Sequence, residues 1–355
     1  MSKIDLYIAR HVLGAILAVV FIVVGLDLLF ALVDQLEDSS DRYGMPQIAH
    51  YLALTAPRRI YEFLPLSSLV GCLIGLGILA SSSELTVMRA AGVSTRQIVF
   101  SVMKPVGLLV VLGLVLGEYV VPVAEQRAQS ERALAQSAGE ALNTRHGIWH
   151  REGLEYIHIN AVDAEGRIHG VTRYRFNDAG EMLSASFAAK GEFDLESGSW
   201  LLSQLRTTEF QSNSTRVSQQ DKEKWQSGLT PERLAIVVVE PVNLAISGLW
   251  AYSGYLEEQG LSASTYQLAF WSKLLQPLAI AALVLIAISF IFGPLRSVTI
   301  GQRILTGIIV GLIFKFAQDL LGPASTVFGF TPLVAVLLPI VVCTAAGAWM
   351  LRKAG

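Results

Sequence analysis

The chain has 355 residues, 52% of them hydrophobic and only 16% charged, with a mean hydropathy of +0.50. That balance excludes an ordinary soluble protein and points to a chain that crosses a membrane several times. A formal net charge of -2 with no broad basic face excludes nucleic acid as a partner, and the two cysteines, Cys72 and Cys343, fall within apolar runs where no disulfide framework is plausible.

Residues 12–33 form the first run long enough to span a bilayer. No small-residue cleavage site follows it, so it reads as a retained helix rather than a signal peptide. Lys3, Arg10 and His11 precede it and Asp34, Glu37 and Asp38 follow it, which places the N-terminus in the cytoplasm. The second span, residues 63–80, carries Gly71, Gly75 and Gly77, small residues suited to close packing against another helix. The third, residues 98–121, is expected to stop at Pro122. Residues 268–292, 304–321 and 332–351 complete a set of six. Lys3, Arg10, Arg89, Arg96, Lys104, Arg296, Arg303, Arg352 and Lys353 then share the inner side, whereas Arg42, Arg58 and Arg59 fall in an outer loop diluted by acidic residues. Both termini are therefore expected inside.

Between the second and third spans lies a polar island, SSSELTVMRAAGVSTRQI, over residues 81–98. Ser81 and Glu84 have capping-box spacing, Gly92 offers a left-handed helix stop, and Ser94 with Gln97 repeats the cap. The pattern predicts a short helix over about 82–91, with Leu85, Met88 and Ala91 on one side and Glu84 and Arg89 supplying charge. Such a helix on a membrane surface is a handle for another subunit.

The stretch between the third and fourth spans is polar. After a helical lead-in over residues 125–141, alternation at 155–159, 172–176, 187–193 and 200–210, punctuated by turn clusters, predicts an antiparallel β domain. The expected fold class is thus a membrane α-helical protein of six spans with an all-β jellyroll periplasmic domain inserted between helices 3 and 4. The divisions fall at residues 1–137, 138–245 and 246–355.

No G-x-x-x-x-G-K-[ST] occurs, so any ATP is bound by another subunit. There is no nucleophile context for a catalytic residue either. His146 and His150, with Glu152 nearby, would need a helix to ligate a metal, yet they stand at the entry to a strand and read as surface or packing residues. Asp27, Glu118, Lys315 and Asp319 are ionisable residues within spans, costly in lipid. Lys315 and Asp319, four apart, suit an ion pair or a substrate path; Asp27 and Glu118 lie near helix ends and suit snorkelling. Arg127 and Arg132, following the third span, suit anionic headgroups or a solvated helix surface.

SELTVMRAAGVS in the polar island, VDQL at residues 33–36 and SFIFGPLRS at 289–297 together resemble the LptF/LptG family of lipopolysaccharide export permeases, the last motif lying nearer its LptG branch. The resemblance covers the whole length. It implies one of two homologous permeases, the other being LptF, seated on a dimeric ATPase, LptB, and extracting lipopolysaccharide from the outer leaflet of the inner membrane. ATP and Mg would sit on LptB, with no cofactor in this chain, and lipid would pass to LptC and a periplasmic bridge of β-jellyroll domains. The resemblance then implies that this helix docks in a groove of the ATPase, with Glu84 and Arg89 making polar contacts and Leu85 and Met88 filling the groove. Arg127 and Arg132 would meet the phosphorylated cargo, and Asp27, Lys315 and Asp319 would lie near lateral gates formed by the first and fifth spans. One departure is the acidic pair Glu37 and Asp38 where the family tends to be basic, which suggests weaker headgroup contacts or contacts through a divalent cation. A membrane scaffold whose β domain binds a periplasmic protein is the competing class; the charges within the spans weigh against it.

Overall fold

The computed structural model describes residues 3–39, 43–137, 148–162, 166–195, 197–211, 214–231, 234, 240–258, 262–293 and 298–354. His146, Arg42, Arg296, the PLRS end of the third motif and residues 138–141 of the helical lead-in lie outside them. Nine helices are described: α1 (Lys3–Glu37), α2 (Met45–Ser81), α3 (Glu84–Ala90), α4 (Thr95–Val115), α5 (Val121–Ser137), α6 (Ile246–Glu258), α7 (Ser264–Phe292), α8 (Ile300–Phe328) and α9 (Pro332–Ala354). Six helical stretches are long and apolar enough to cross a membrane, and the six strands lie between the third and the fourth of them.

The chain divides into two compact units. The first comprises Met1–Phe30, Ala56–Val121 and Ala245–Gly355. Its core gathers Ile8, Val12 and Ile16 of α1, Leu69, Leu73 and Leu76 of α2, Ile98, Val102 and Val106 of α4, and Leu283, Val284, Ala287 and Ile288 of α7. Packing in lipid depends on how closely backbones approach, and the glycines of α2 supply that closeness. A Cβ on Gly71 would collide with the Ile16 backbone, and one on Gly75 would lie 2.8 Å from Val12 Cα. The third glycine serves a different neighbour, since a Cβ on Gly77 would meet the Arg303 guanidinium at 2.9 Å. α2 is the central helix, with 67% of its most apolar stretch buried against 22% for α1 and 17% for α8.

Two expected boundaries move. α2 begins at Met45, well before residue 63, carrying Pro57 and Pro65 inside it, so Arg58 and Arg59 belong to a helix rather than to a loop. Pro122 does not end the third span. α4 passes through a π turn, Leu116–Val120, into α5, and the wider i→i+5 ladder there tolerates the N–H that proline lacks.

The second unit comprises Ala31–Thr55 and Pro122–Leu244. Its six strands are β1 (Ile148–Glu152), β2 (Glu155–Val162), β3 (Ile168–Phe176), β4 (Met182–Asp194), β5 (Ser199–Gln211) and β6 (Ser214–Trp225). They form one antiparallel sheet in sequence order, which refines the expected jellyroll: each described strand pairs with its neighbour in the chain, without a Greek-key crossing. One face buries Ile157, Ile159, Val171, Leu202 and Trp200, whose indole N–H donates to Leu229 O at 2.6 Å. Arg173, only 6% exposed, ties the sheet together through Ser186 at 3.1 Å and Glu223 at 2.9 Å, above the Trp225 ring. β6 escaped the alternation test because nearly all of it is exposed and polar, as suits a sheet edge protected from further pairing.

Candidate functional site

The polar island folds as a helix between two turns. Ser94 caps α4 in a full capping box, accepting from Gln97 N while Gln97 Oε1 accepts from Ser94 N at 3.0 Å. Gly92, at φ 91°, closes α3: Val93 N–H reaches Met88 O and Gly92 N–H reaches Arg89 O, both at 3.0 Å, the paired bonds of a left-handed helix stop. The expected Ser81–Glu84 box does not form. Ser81 is the last residue of α2, its hydroxyl donating to Ile78 O at 2.8 Å, and the cap of α3 is Ser83, held at φ 62° with no side-chain cap. α2 runs through Ser81, one residue beyond the expected span, so Ser81 belongs to α2 and α3 starts only at Glu84.

α3 sorts its residues by direction. Leu85 is buried in the helical core and Met88 is packed against it, so both seat the helix rather than leave it. Facing out are Thr86, Val87, Arg89 and Ala90, with Val87 at 65% exposure. The Arg89 guanidinium lies over the Phe292 ring at the end of α7, 5.7 Å from its centroid, beside a groove of about 410 Å³. Glu84 turns toward α1: Tyr7 and Ser82 hydrogen-bond its carboxylate, Ser82 at 2.9 Å, and these bonds hold its pKa below the usual value, Tyr7 contributing most.

The intramembrane charges are all engaged. Asp27 of α1 pairs with Arg59 of α2, which is 8% exposed. Lys315 contacts Asp319 at 3.4 Å on α8 and Glu62 of α2 at 3.9 Å, and Glu62 also meets Arg58 at 3.3 Å. Lys315, Asp319 and Glu62 are roughly half-exposed, and Arg58 is the more buried end of this four-charge chain. Glu118, in the π turn, accepts from Ile246 N at 2.7 Å and from the Ser247 hydroxyl at 2.6 Å, capping α6. It is a helix cap rather than a snorkelling side chain.

Arg127 and Arg132, both on α5, differ in their surroundings. Arg127 is exposed, while Arg132 is half-buried, bonded to Asp38 at 2.8 Å and lying over the Tyr51 ring. Asp38, the acidic departure, is thus the partner of one of the two cations. Beside them, His50 meets Glu131 at 3.1 Å in a cavity of about 230 Å³.

Two buried cations lie outside the expected site residues: nothing in the sequence singles out Lys273, and Arg303 stands out only as one of the inner-side basic residues. Arg303 opens α8 at 2% exposure and donates to Gly77 O at 2.7 Å; Lys273 of α7 is 3% exposed with its ammonium over the Tyr61 ring. Among the described residues, no group of three His, Cys, Asp or Glu side chains is arranged to hold a metal.

Six helical stretches apolar enough to cross a membrane, a short junction helix after the second and an all-β insertion after the third define a protein of the polytopic membrane class. The chain belongs to the family described as lipopolysaccharide export system permease LptF/LptG, whose sequence profile matches residues 6–353. It is 37% identical over 352 residues to the lipopolysaccharide export system permease protein LptG of Escherichia coli strain K12, covering 98% of each chain. It is 34% identical over 354 residues to the LptG of Haemophilus influenzae, covering 99% of each.

Proposed function

We propose that this chain is a permease subunit of an ATP-driven lipopolysaccharide exporter in the bacterial inner membrane, working with a homologous LptF-type permease on an LptB-type ATPase dimer. The observation that carries the reading is α3, a seven-residue helix seated by its own apolar face and offering a second face outward. A docking element must transmit force, so it needs both faces occupied. Leu85 and Met88 anchor it to the spans, while Thr86, Val87, Arg89 and Ala90 are offered to the ATPase.

On this reading α3 and both termini lie on the cytoplasmic side and the β domain is periplasmic, in keeping with Lys3, Arg10, Arg89, Arg96, Arg352 and Lys353. ATP is bound and hydrolysed by the partner, and this chain performs no bond chemistry. Closure of the ATPase moves α3, and α3 moves the spans through Leu85 and through the Glu84 bond to Tyr7 of α1. The weakly covered faces of α1 and α8 serve as the lateral gates, with Asp27, Lys315 and Asp319 on those two helices. Arg127 is the cation offered to a phosphorylated headgroup, and Arg132 joins it when the Asp38 pair opens. The β domain hands lipid on to LptC and the bridge.

The test is a reconstituted complex assayed for ATP hydrolysis with and without lipopolysaccharide. Val87→Asp is expected to leave the permease folded and lower lipid-stimulated hydrolysis at least about tenfold, a loss worth roughly 1.4 kcal/mol of coupling. Full stimulation in that variant would sink the docking role. Reversing the charge of Arg127 should lower stimulation while basal hydrolysis survives.

A further inference from the structure

The β sheet has a second face that its core does not use. Trp149 of β1 stands opposite His158 of β2, whose neighbour across the next ladder is Thr172 of β3; Tyr156 stands opposite Tyr174. All point away from Ile157, Ile159 and Val171, because alternate residues of a strand face opposite sides. The result is a ledge of rings. Trp149 stacks on Tyr174 with an interplanar angle of 15° and centroids 6.1 Å apart, and Tyr156 meets Phe176 edge-on at 5.5 Å. Trp149 is 61% exposed, so its indole is largely open to solvent.

These rings line a groove of about 620 Å³ whose rim is polar. Arg151 stands on one side, its guanidinium 5.2 Å above the Tyr156 ring and its Nε donating to Gly153 O at 3.0 Å. It is exposed and pairs with no carboxylate among the described residues. Asn177 and Asp178 stand in the turn on the other side, Asn177 held by Glu181 at 2.9 Å and Asp178 exposed. A cation and a carboxylate thus face each other across aromatic ground.

We infer that this groove binds an oligosaccharide, one pyranose ring lying on Trp149 and Tyr174 with its hydroxyls reaching Arg151 and Asp178. A pyranose is amphipathic in the required way: its axial C–H face is apolar and suits a flat ring, while its equatorial hydroxyls both donate and accept. An acyl chain would leave Arg151 and Asp178 without partners, at a desolvation cost. The sugar headgroup of a glycolipid and a free oligosaccharide share this chemistry. The choice of saccharide rests on the transport reading, whereas the groove's own chemistry on the β domain needs no ATPase.

The test uses the full chain in nanodiscs, because sugar-headed detergents would compete. Saturation-transfer NMR with lipid-free core oligosaccharide, released from lipopolysaccharide by mild acid, should show transfer to one face of a pyranose. Trp149→Ala and Tyr174→Ala should each weaken binding about fivefold, the effect of losing one stacked ring. Arg151→Met should also weaken it, while Trp250→Ala, outside the β domain, should not. Unshifted melting of Trp149→Ala would exclude misfolding as the cause, and Tyr156→Ala stands in should that variant melt early. Binding of the free saccharide, or of intact lipopolysaccharide alone, supports the site when the ring substitutions weaken it as expected; the second outcome assigns it to the tethered headgroup. No saccharide binding in either form, binding that neither substitution weakens, or protection of the ledge by a second copy or by phospholipid would overturn it. Lipid-stimulated hydrolysis measured on the same preparations separates the two readings: if it persists while saccharide binding is absent, only the groove assignment fails.

Discussion

Gly71 and Asp27 illustrate two ways in which single residues hold the spans together. Gly71 has no room for any side chain beside Ile16, so Gly71→Leu would force α1 off α2 and cost about 1–3 kcal/mol or more. Its thermal unfolding in nanodiscs should fall well below that of Gly107→Leu, where a Cβ meets nothing within 4 Å. Asp27 is half of an ion pair whose other half, Arg59, is buried. Asp27→Ala leaves that guanidinium without its carboxylate and should destabilise by about 2 kcal/mol, whereas pairing it with Arg59→Met should restore much of the loss. A double variant no more stable than Asp27→Ala would show that Arg59 does not depend on Asp27.

The elements differ in what their sequences announce. α3 and the start of α4 follow from local chemistry, a left-handed glycine and a capping box, and both form where the spacing placed them. Gly92→Ala forces a side chain into φ 91° and should shorten α3, seen as faster amide exchange at Val93. In the β domain, burial lowers the pKa of His150, against an opposing pull from Glu152, and burial alone lowers that of His158. The unfolded chain then takes up protons that the folded domain refuses. Stability is therefore full above the ordinary imidazole value of 6.5 and is lost as pH falls through it. Unfolding monitored by exchange across β2 and β3 should come earlier at pH 5.5 than at pH 7.5, and His158→Gln should flatten that slope.

At the scale of the molecule, the permease reading sets α3 and the β domain on opposite sides of one membrane. Cysteines placed at the exposed Thr86 and Asp178 should react with an impermeant maleimide from opposite faces of oriented vesicles. Labelling of both from one face would invert the topology. What the sequence determined by itself was whatever depends on near neighbours: six apolar runs, the glycine stop of α3 and the cap of α4, strand alternation in β2 to β5, and the family. β6 gives no strand signal because an exposed edge strand needs no apolar alternation, and the first half of α2 resembles a loop because it is polar and contains Pro57. Only the tertiary structure decided the partners. Asp27 found Arg59, 32 residues away, Arg132 found Asp38 at a separation of 94, and Arg303 found Gly77 O at 226. A charge in a span announces that it must be answered, because lipid cannot solvate it; which residue answers depends on the helix packed beside it, and no local pattern records that.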